Sequence, residues 1–337
     1  SAGGDVGTSG VTYAGQVGSS KDNSKIQSVG IYWQTSSGLL SEVMYLNGTG
    51  SVFVKAHPTK TGNAVVAAYS GPSQTGNILW SWHIWVTDYK PNASPATGGA
   101  IHSYGSNGFT WMDRNLGATH AYTSPPSSAD DPNIGNSYGL IYQWGRKDPF
   151  IGAKTESGGE HAETYNAPGS EWKEEAVGVT TSLEFEEGIA YITEHPTTRF
   201  TGWYSPIVAP APFWGEESND FPKTGFDPCP PGWRVPPMEM WTAVTQDSRN
   251  KSFAFNNGMN VYFDDRSSET TFYPASGSYS YAGSNMTIIW AGTNGTHWSR
   301  TFSGSYLARA YGVDISAGPS NGTNYRTFTH AIRCVRE

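Results

Sequence analysis

Eight histidines, two cysteines and a few adjacent acidic pairs are the residues of this chain whose types could do chemistry. The histidines (His57, His83, His102, His120, His161, His195, His297 and His330) show no metal-ligand interval, so ordinary surface or hydrogen-bonded roles account for them. No GxGxxG, GxxxxGK[ST] or HExxH pattern occurs. Asp130 with Asp131, and Glu216 with Glu217, are neighbours in sequence and need not face each other; a glycosidase needs two carboxylates held across a sugar, and nothing singles out such a pair. Asp130-Asp131-Pro132-Asn133 could supply oxygens to calcium, the one cofactor the sequence admits, although such a cluster is more often a solvated turn. The expectation is a chain without catalytic machinery.

The elements must then serve recognition or structure. With 337 residues the chain is long enough for two domains. Its 40 Gly, 21 Pro, 13 Trp, 19 Tyr and 14 Phe, against 15% charged residues, describe short strands, many turns and aromatic packing. A net charge of −8 with scattered Lys and Arg leaves no footprint for phosphate backbones or anionic membranes, so nucleic acid is not an expected partner. No run nears the roughly 18 apolar residues that span a bilayer, and Ser1 opens without a signal sequence, as in a mature or trimmed chain.

Alternating apolar stretches at Val29 to Trp33, Val43 to Leu46, Ser51 to Ala56, Asn63 to Tyr69 and Asn77 to Thr87 predict five strands of an N-terminal β-sandwich, residues 1–90. In the last of them Trp80, Trp82, Ile84 and Val86 share one face, and Ser81, His83, Trp85 and Thr87 the other. Residues 91–99, mixing prolines with small residues, read as a linker. Residues 100–337 read as one domain with an acidic insertion at about 151–225. That insertion carries a helix introduced by the capping box Thr181-x-x-Glu184 and ended near His195-Pro196. A second helix should follow Pro237 through MEMWTAVTQ. Two helices cannot cover a parallel sheet, so the fold class is β-rich α+β.

Cys229 and Cys334 are too few for a structural zinc site. A bridge between them would close a long loop and stabilise by about 4 to 5 kcal/mol, in keeping with an oxidising compartment; two buried thiols are the alternative.

Phe109-Thr110-Trp111-Met112-Asp113-Arg114-Asn115-Leu116-Gly117 is followed by Tyr138-Gly139-Leu140-Ile141-Tyr142-Gln143-Trp144-Gly145 and Cys229-Pro230-Pro231-Gly232-Trp233-Arg234-Val235-Pro236, with Trp241 a helical turn on. Phe272-Tyr273-Pro274-Ala275-Ser276-Gly277, His297-Trp298-Ser299-Arg300-Thr301 and Ile332-Arg333-Cys334-Val335 complete the set. In this order the motifs resemble the Fibrobacter-type major paralogous domain. The resemblance implies a C-type-lectin-like fold, a Cys229–Cys334 disulfide, and Trp111, Trp144, Trp233, Trp241 and Trp298 as core. It also implies kinship with retroelement-diversified variable proteins, whose variable residues precede the terminal RCV-type strand. The stretch Gly62 to Ala67 with Gly76 to Tyr89 resembles the segment preceding this domain in fimbrillin-type pilus proteins. That implies an extracellular place on a bacterial surface or pilus, with other subunits as partners by strand complementation.

Between Tyr279 and Arg326 the chain is built from Tyr, Ser, Asn, Gly and Thr, a composition that suits a binding face. The contact candidates are Tyr279, Tyr281, Asn285, Asn294, His297, Arg300, Phe302, Tyr306, Arg309, Tyr311, Asn324 and Tyr325. Alternation from Ser305 to Val313 divides these side chains between two faces, only one of which can point outward. The functional expectation is a non-catalytic adhesin for a host or bacterial surface glycan or protein; the alternative is a structural pilus subunit without a ligand.

Overall fold

The computed structural model describes residues 25–47, 50–92, 101–104, 109–122, 125–128, 130–155, 158–160, 185–199, 214–215, 223–246, 251–253, 257–262, 270–279, 288–303, 307–314 and 318–337. The chain is β-rich, with several sheets and three short α-helices among these residues. All five expected N-terminal strands form: β1 (Ser28–Gln34), β2 (Leu40–Leu46), β3 (Ser51–Ala56), β4 (Gly62–Tyr69) and β5 (Ile78–Val86). β4 is the middle strand of the antiparallel sheet β1-β4-β5, while β2 and β3 pair with each other. The two sheets close on one apolar cluster. It takes Val29 and Ile31 from β1, Val43 and Tyr45 from β2, Val52 and Val54 from β3, Ala64, Val66 and Ala68 from β4, and Trp80 and Trp82 from β5.

The second face of the β1-β4-β5 sheet is buried as well, which simple alternation does not anticipate. A bulge between Ile31 and Trp33 breaks the register, so that Ile31 lies opposite Val66 but Trp33 lies opposite Val65. Trp33 is thereby turned away from Val29 and Ile31. With Val65 it joins a different cluster that includes Met112, Leu116, Leu140, Tyr142, Trp144, Trp233 and Trp298. The N-terminal sheet thus shares a core with the rest of the chain. Residues 93–99 of the expected linker lie outside the described residues, but Asn92 within it accepts a hydrogen bond from Trp233 Nε1 at 2.9 Å.

The elements that follow are β6 (Ile101–Tyr104), β7 (Phe109–Met112), α1 (Ile134–Tyr138), β8 (Ile141–Gln143), β9 (Ala153–Thr155), β10 (Gly158–Glu160), α2 (Phe185–Glu194), β11 (Trp233–Arg234), α3 (Met238–Gln246) and β12 (Lys251–Phe253). After them come β13 (Gly258–Tyr262), β14 (Thr270–Pro274), β15 (Ser276–Tyr279), β16 (Ile288–Ala291), β17 (Asn294–Ser303), β18 (Leu307–Asp314), β19 (Gly318–Tyr325), β20 (Thr329–Ala331) and β21 (Val335–Arg336). The largest sheet runs β16-β15-β17-β18-β19, with β20 joining β17 to β8; a smaller one runs β11-β21-β7-β6. α3 starts directly after Pro237 as expected, and Thr301 Oγ1 accepts the Met238 N–H that no helical carbonyl can reach. Its buried Met240, Trp241 and Val244 face Trp111, Met259, Val261 and Tyr273.

The recurring motifs meet through buried polar bonds. Asn115 Nδ2 donates to Tyr138 O, while its Oδ1 accepts from His297 and from Arg333 Nε at 3.0 and 3.3 Å. Four motifs far apart in sequence therefore converge on one amide. Cys229 and Cys334 form a disulfide whose Cα atoms are 6.0 Å apart. Asp227 orders the loop before it by accepting from Cys229 N–H, Val235 N–H and Lys223 Nζ. Trp111, Trp144, Trp233, Trp241 and Trp298 are all fully buried, as core residues.

α2 occupies the expected stretch and stops at Glu194, before His195-Pro196. Buried Arg146 fixes the chain beyond it by donating to the carbonyls of His195, Pro196 and Thr198, and Asn77 beside β5 donates to Glu194. The start of the expected capping box, Thr181-x-x-Glu184, lies outside the described residues.

Candidate functional site

The structure separates the expected contact residues into a buried set and a surface set. Tyr279, His297 and Arg300 are core, contrary to their expected place on a binding face. Tyr279 donates its hydroxyl to Ile151 O at 2.9 Å, and His297 bonds Asn115 and packs against Trp241 and Tyr273. Arg300 lies against the start of α3, its backbone N–H donating to Pro236 O. A polar, aromatic composition is equally that of a core wired by hydrogen bonds, and in these three residues it serves the core. Asn294 and Asn324 are half-buried, and Tyr325 is exposed. Phe302 lies opposite Ala308, Arg309 opposite Thr323, and Tyr311 between His297 and Asn321. Tyr281, Asn285 and Tyr306 lie outside the described residues.

Two exposed aromatics stand at opposite ends of β17. At one end, Tyr325 closes β19, where Ser320, Asn321 and Thr323 are also exposed. Beneath it runs a ladder of rings: Tyr325 to Phe328 at 6.0 Å, Phe328 stacked on His330 at 6.1 Å, and His330 against buried Trp298 at 4.3 Å. Burial pushes the His330 imidazole down to about 3, so it is neutral in that stack. The exposed ring therefore rests on a rigid apolar column.

At the other end, within β16 and just before the turn into β17, is Trp290. It is 55% exposed, the most exposed large apolar side chain among the described residues, and its φ is +64°. A left-handed backbone costs a non-glycine residue roughly 1–2 kcal/mol. The surroundings impose it. Thr293 N–H and Oγ1 both donate to Trp290 O, and Gly292 N–H donates to Ala275 O. β15 approaches so closely that a Cβ on Gly277 would lie 2.6 Å from Ile289 O and 2.8 Å from Ala291 N. Strained backbone clusters at functional sites, and this turn displays its largest apolar side chain to solvent. Sequence reading passed over Trp290 because the ring looks like any other core tryptophan; the adjoining Gly292-Thr293-Asn294 turn was the available signal.

Gly135-Asn136-Ser137-Tyr138-Gly139 has the spacing of a nucleophile elbow, as does Gly318-Pro319-Ser320-Asn321-Gly322. Ser137, however, is buried inside α1 and donates to Ile134 O, and Ser320 sits within β19 rather than at a strand-to-helix turn. Lys147, Asp148 and Ser81 form a buried triad with Nζ to Oδ2 at 2.6 Å; desolvation pushes the lysine down and the facing carboxylate opposes that shift. Asp131 accepts from Asn133 N–H as an Asx turn that leads into α1. Among the described residues no group of three or more His, Cys, Asp or Glu side chains could hold a metal ion, and no helix is long and apolar enough to cross a membrane.

Comparison with protein-family models, curated proteins and solved structures found no match to the chain.

Proposed function

We propose that this chain is a non-catalytic adhesin of a bacterial surface or pilus, with a C-type-lectin-like C-terminal region that binds a glycan or protein through the sheet carrying β16 to β19. The observation that carries this reading is Trp290: an exposed indole on a strained, hydrogen-bonded backbone, inside the very stretch whose composition suits recognition. Tyr325 on its ring ladder, with exposed Ser320, Asn321 and Thr323, supplies a second aromatic and polar patch. The ordered motifs from Trp111 to Val335, the disulfide and the fimbrillin-like segment support export and kinship with Fibrobacter-type and retroelement-diversified domains. The helical part of the acidic insertion, α2, packs at β5 on the N-terminal sheet, leaving Trp290 and Tyr325 exposed.

The structural-subunit reading draws on a different observation. In the β2-β3 hairpin Met44 pairs with Phe53, and both are exposed together with Leu46 on a sheet that has two strands among the described residues, an apolar surface suited to a neighbouring subunit. The intact chain on an array of glycans and host surface proteins separates the two readings. The adhesin reading expects saturable capture of at least one ligand; a folded, monodisperse sample that captures none, yet joins other pilus subunits, contradicts it.

A further inference from the structure

We infer that the chain carries a second binding site, for one neutral sugar ring, in a cleft where the N-terminal sheet meets α1. The cleft holds about 220 Å³. Thr35, Ser36, Thr61 and Asn63 form one wall, Thr119 and Asn136 the other, and glycines including Gly117 and Gly139 line the rest. Its chemistry selects the ligand. Among the described residues no charged side chain lines it, so an ionic ligand would lose hydration without gaining a counter-charge there. Hydroxyls, amides and glycine backbone are what a polyhydroxylated ligand exchanges for water. The volume falls below the roughly 300–1,000 Å³ of drug-sized sites, which fits one ring rather than an extended chain.

The cleft is also preformed. At its floor Asn63 is 5% exposed and fixed at both ends, Nδ2 donating to Gly117 O at 2.7 Å and Oδ1 lying 2.9 Å from His83 Nε2. Gly117 has φ +87°, and a Cβ there would lie 2.6 Å from Leu140 Cγ. A Cβ on Gly139, at φ +73°, would lie 2.7 Å from Leu116 O. Across the cleft the Asn136 carbonyl accepts from both Thr119 N–H and His120 N–H, holding that rim in place. Little ordering cost therefore remains for a ligand to meet. Because the two walls come from opposite sides of the expected 91–99 boundary, a bound ring ties them together.

This site shares no lining residue with Trp290 or Tyr325 among the described residues and is tested separately. Mannose, galactose, fucose and N-acetylglucosamine are titrated singly at millimolar concentration, by calorimetry and by thermal melting, into the wild-type chain, Asn136→Trp and Thr61→Trp. Positions 136 and 61 are exposed rim residues on opposite walls, so an indole at either fills the cleft from outside. The expected result is that at least one sugar binds the wild type and raises its Tm by about 2 °C at tenfold excess over Kd, and that both filled variants, with unchanged ligand-free melts, lose at least tenfold in affinity. Should one variant fail to fold, the other decides. No binding by any of the four sugars, or binding undiminished in a folded filled variant, overturns the assignment.

Discussion

Asn63 in β4 donates its side-chain amide to the carbonyl of Gly117, 54 residues along the chain, while its oxygen faces His83 Nε2 on β5. The bond to Gly117 fixes which end of the amide is nitrogen, so Oδ1 must accept and Nε2 of His83 must carry the proton. His83 Nδ1 is then the acceptor for Tyr142 OH at 3.4 Å. One directed chain of hydrogen bonds thus joins the N-terminal sheet to β8. With Trp33 and Val65 in the core of the C-terminal part, it makes the two regions one packed body.

Unfolding should therefore show a single cooperative transition by calorimetry and by tryptophan fluorescence. Asn63→Ala leaves Gly117 O and the His83 N–H without partners and costs about 2–4 kcal/mol, with the transition still single. Two separated transitions, with the N-terminal strands melting independently, would contradict the shared core.

The Cys229–Cys334 bridge closes a separation of 105 residues, for which chain entropy gives about 4–5 kcal/mol. Cys229→Ala with Cys334→Ala should lower Tm by several degrees, and reduction of the wild type should do the same. An unchanged melt under reduction would mean that the thiols are not joined.

Acid should destabilise the protein earlier than carboxylate titration alone predicts. Burial pushes His83, His297 and His330 below the ordinary histidine range, His330 to about 3. Below about pH 6.5 the unfolded chain binds these protons and the folded chain does not, so stability is complete above that pH and falls as pH drops. The loss is roughly 1 kcal/mol per histidine per pH unit. His330→Phe, which keeps the stack with Trp298 and Phe328, should flatten the slope of stability between pH 6.5 and 5 by about one third; an unaltered slope would deny the histidine its part.

Trp290 and Trp298 should respond oppositely to truncation. Trp290→Gly relieves a left-handed backbone and removes a mostly exposed ring, so stability stays within about 1 kcal/mol of wild type. Trp298→Ala empties a fully buried site and costs about 3–5 kcal/mol. Denaturant midpoints compare the two directly, and a large loss at position 290 would make that turn structural rather than functional.

Much of the local structure was legible because it depends on local pattern. The five N-terminal strands, the helix after Pro237 and the stop before His195-Pro196 follow from alternation, proline placement and spacing. α1 escaped notice because five residues containing Gly135, Asn136 and Ser137 give no helical periodicity. The facing of Trp33 was hidden by the bulge at Tyr32, and the shared core by a boundary inferred from composition. At the candidate site the stretch was legible but its residues were not. Tyr279, His297 and Arg300 are buried through bonds and packing with residues distant in sequence, and Trp290 reaches the surface through a backbone conformation that residue types do not reveal.

The most direct test of the adhesin account measures affinity for a ligand captured by the intact chain, comparing wild type, Trp290→Ala, Tyr325→Ala and the double variant, with melts recorded alongside. The account predicts that melts change little while affinity falls at least tenfold in one single variant and further in the double. Undiminished affinity in a folded double variant would contradict recognition by this sheet.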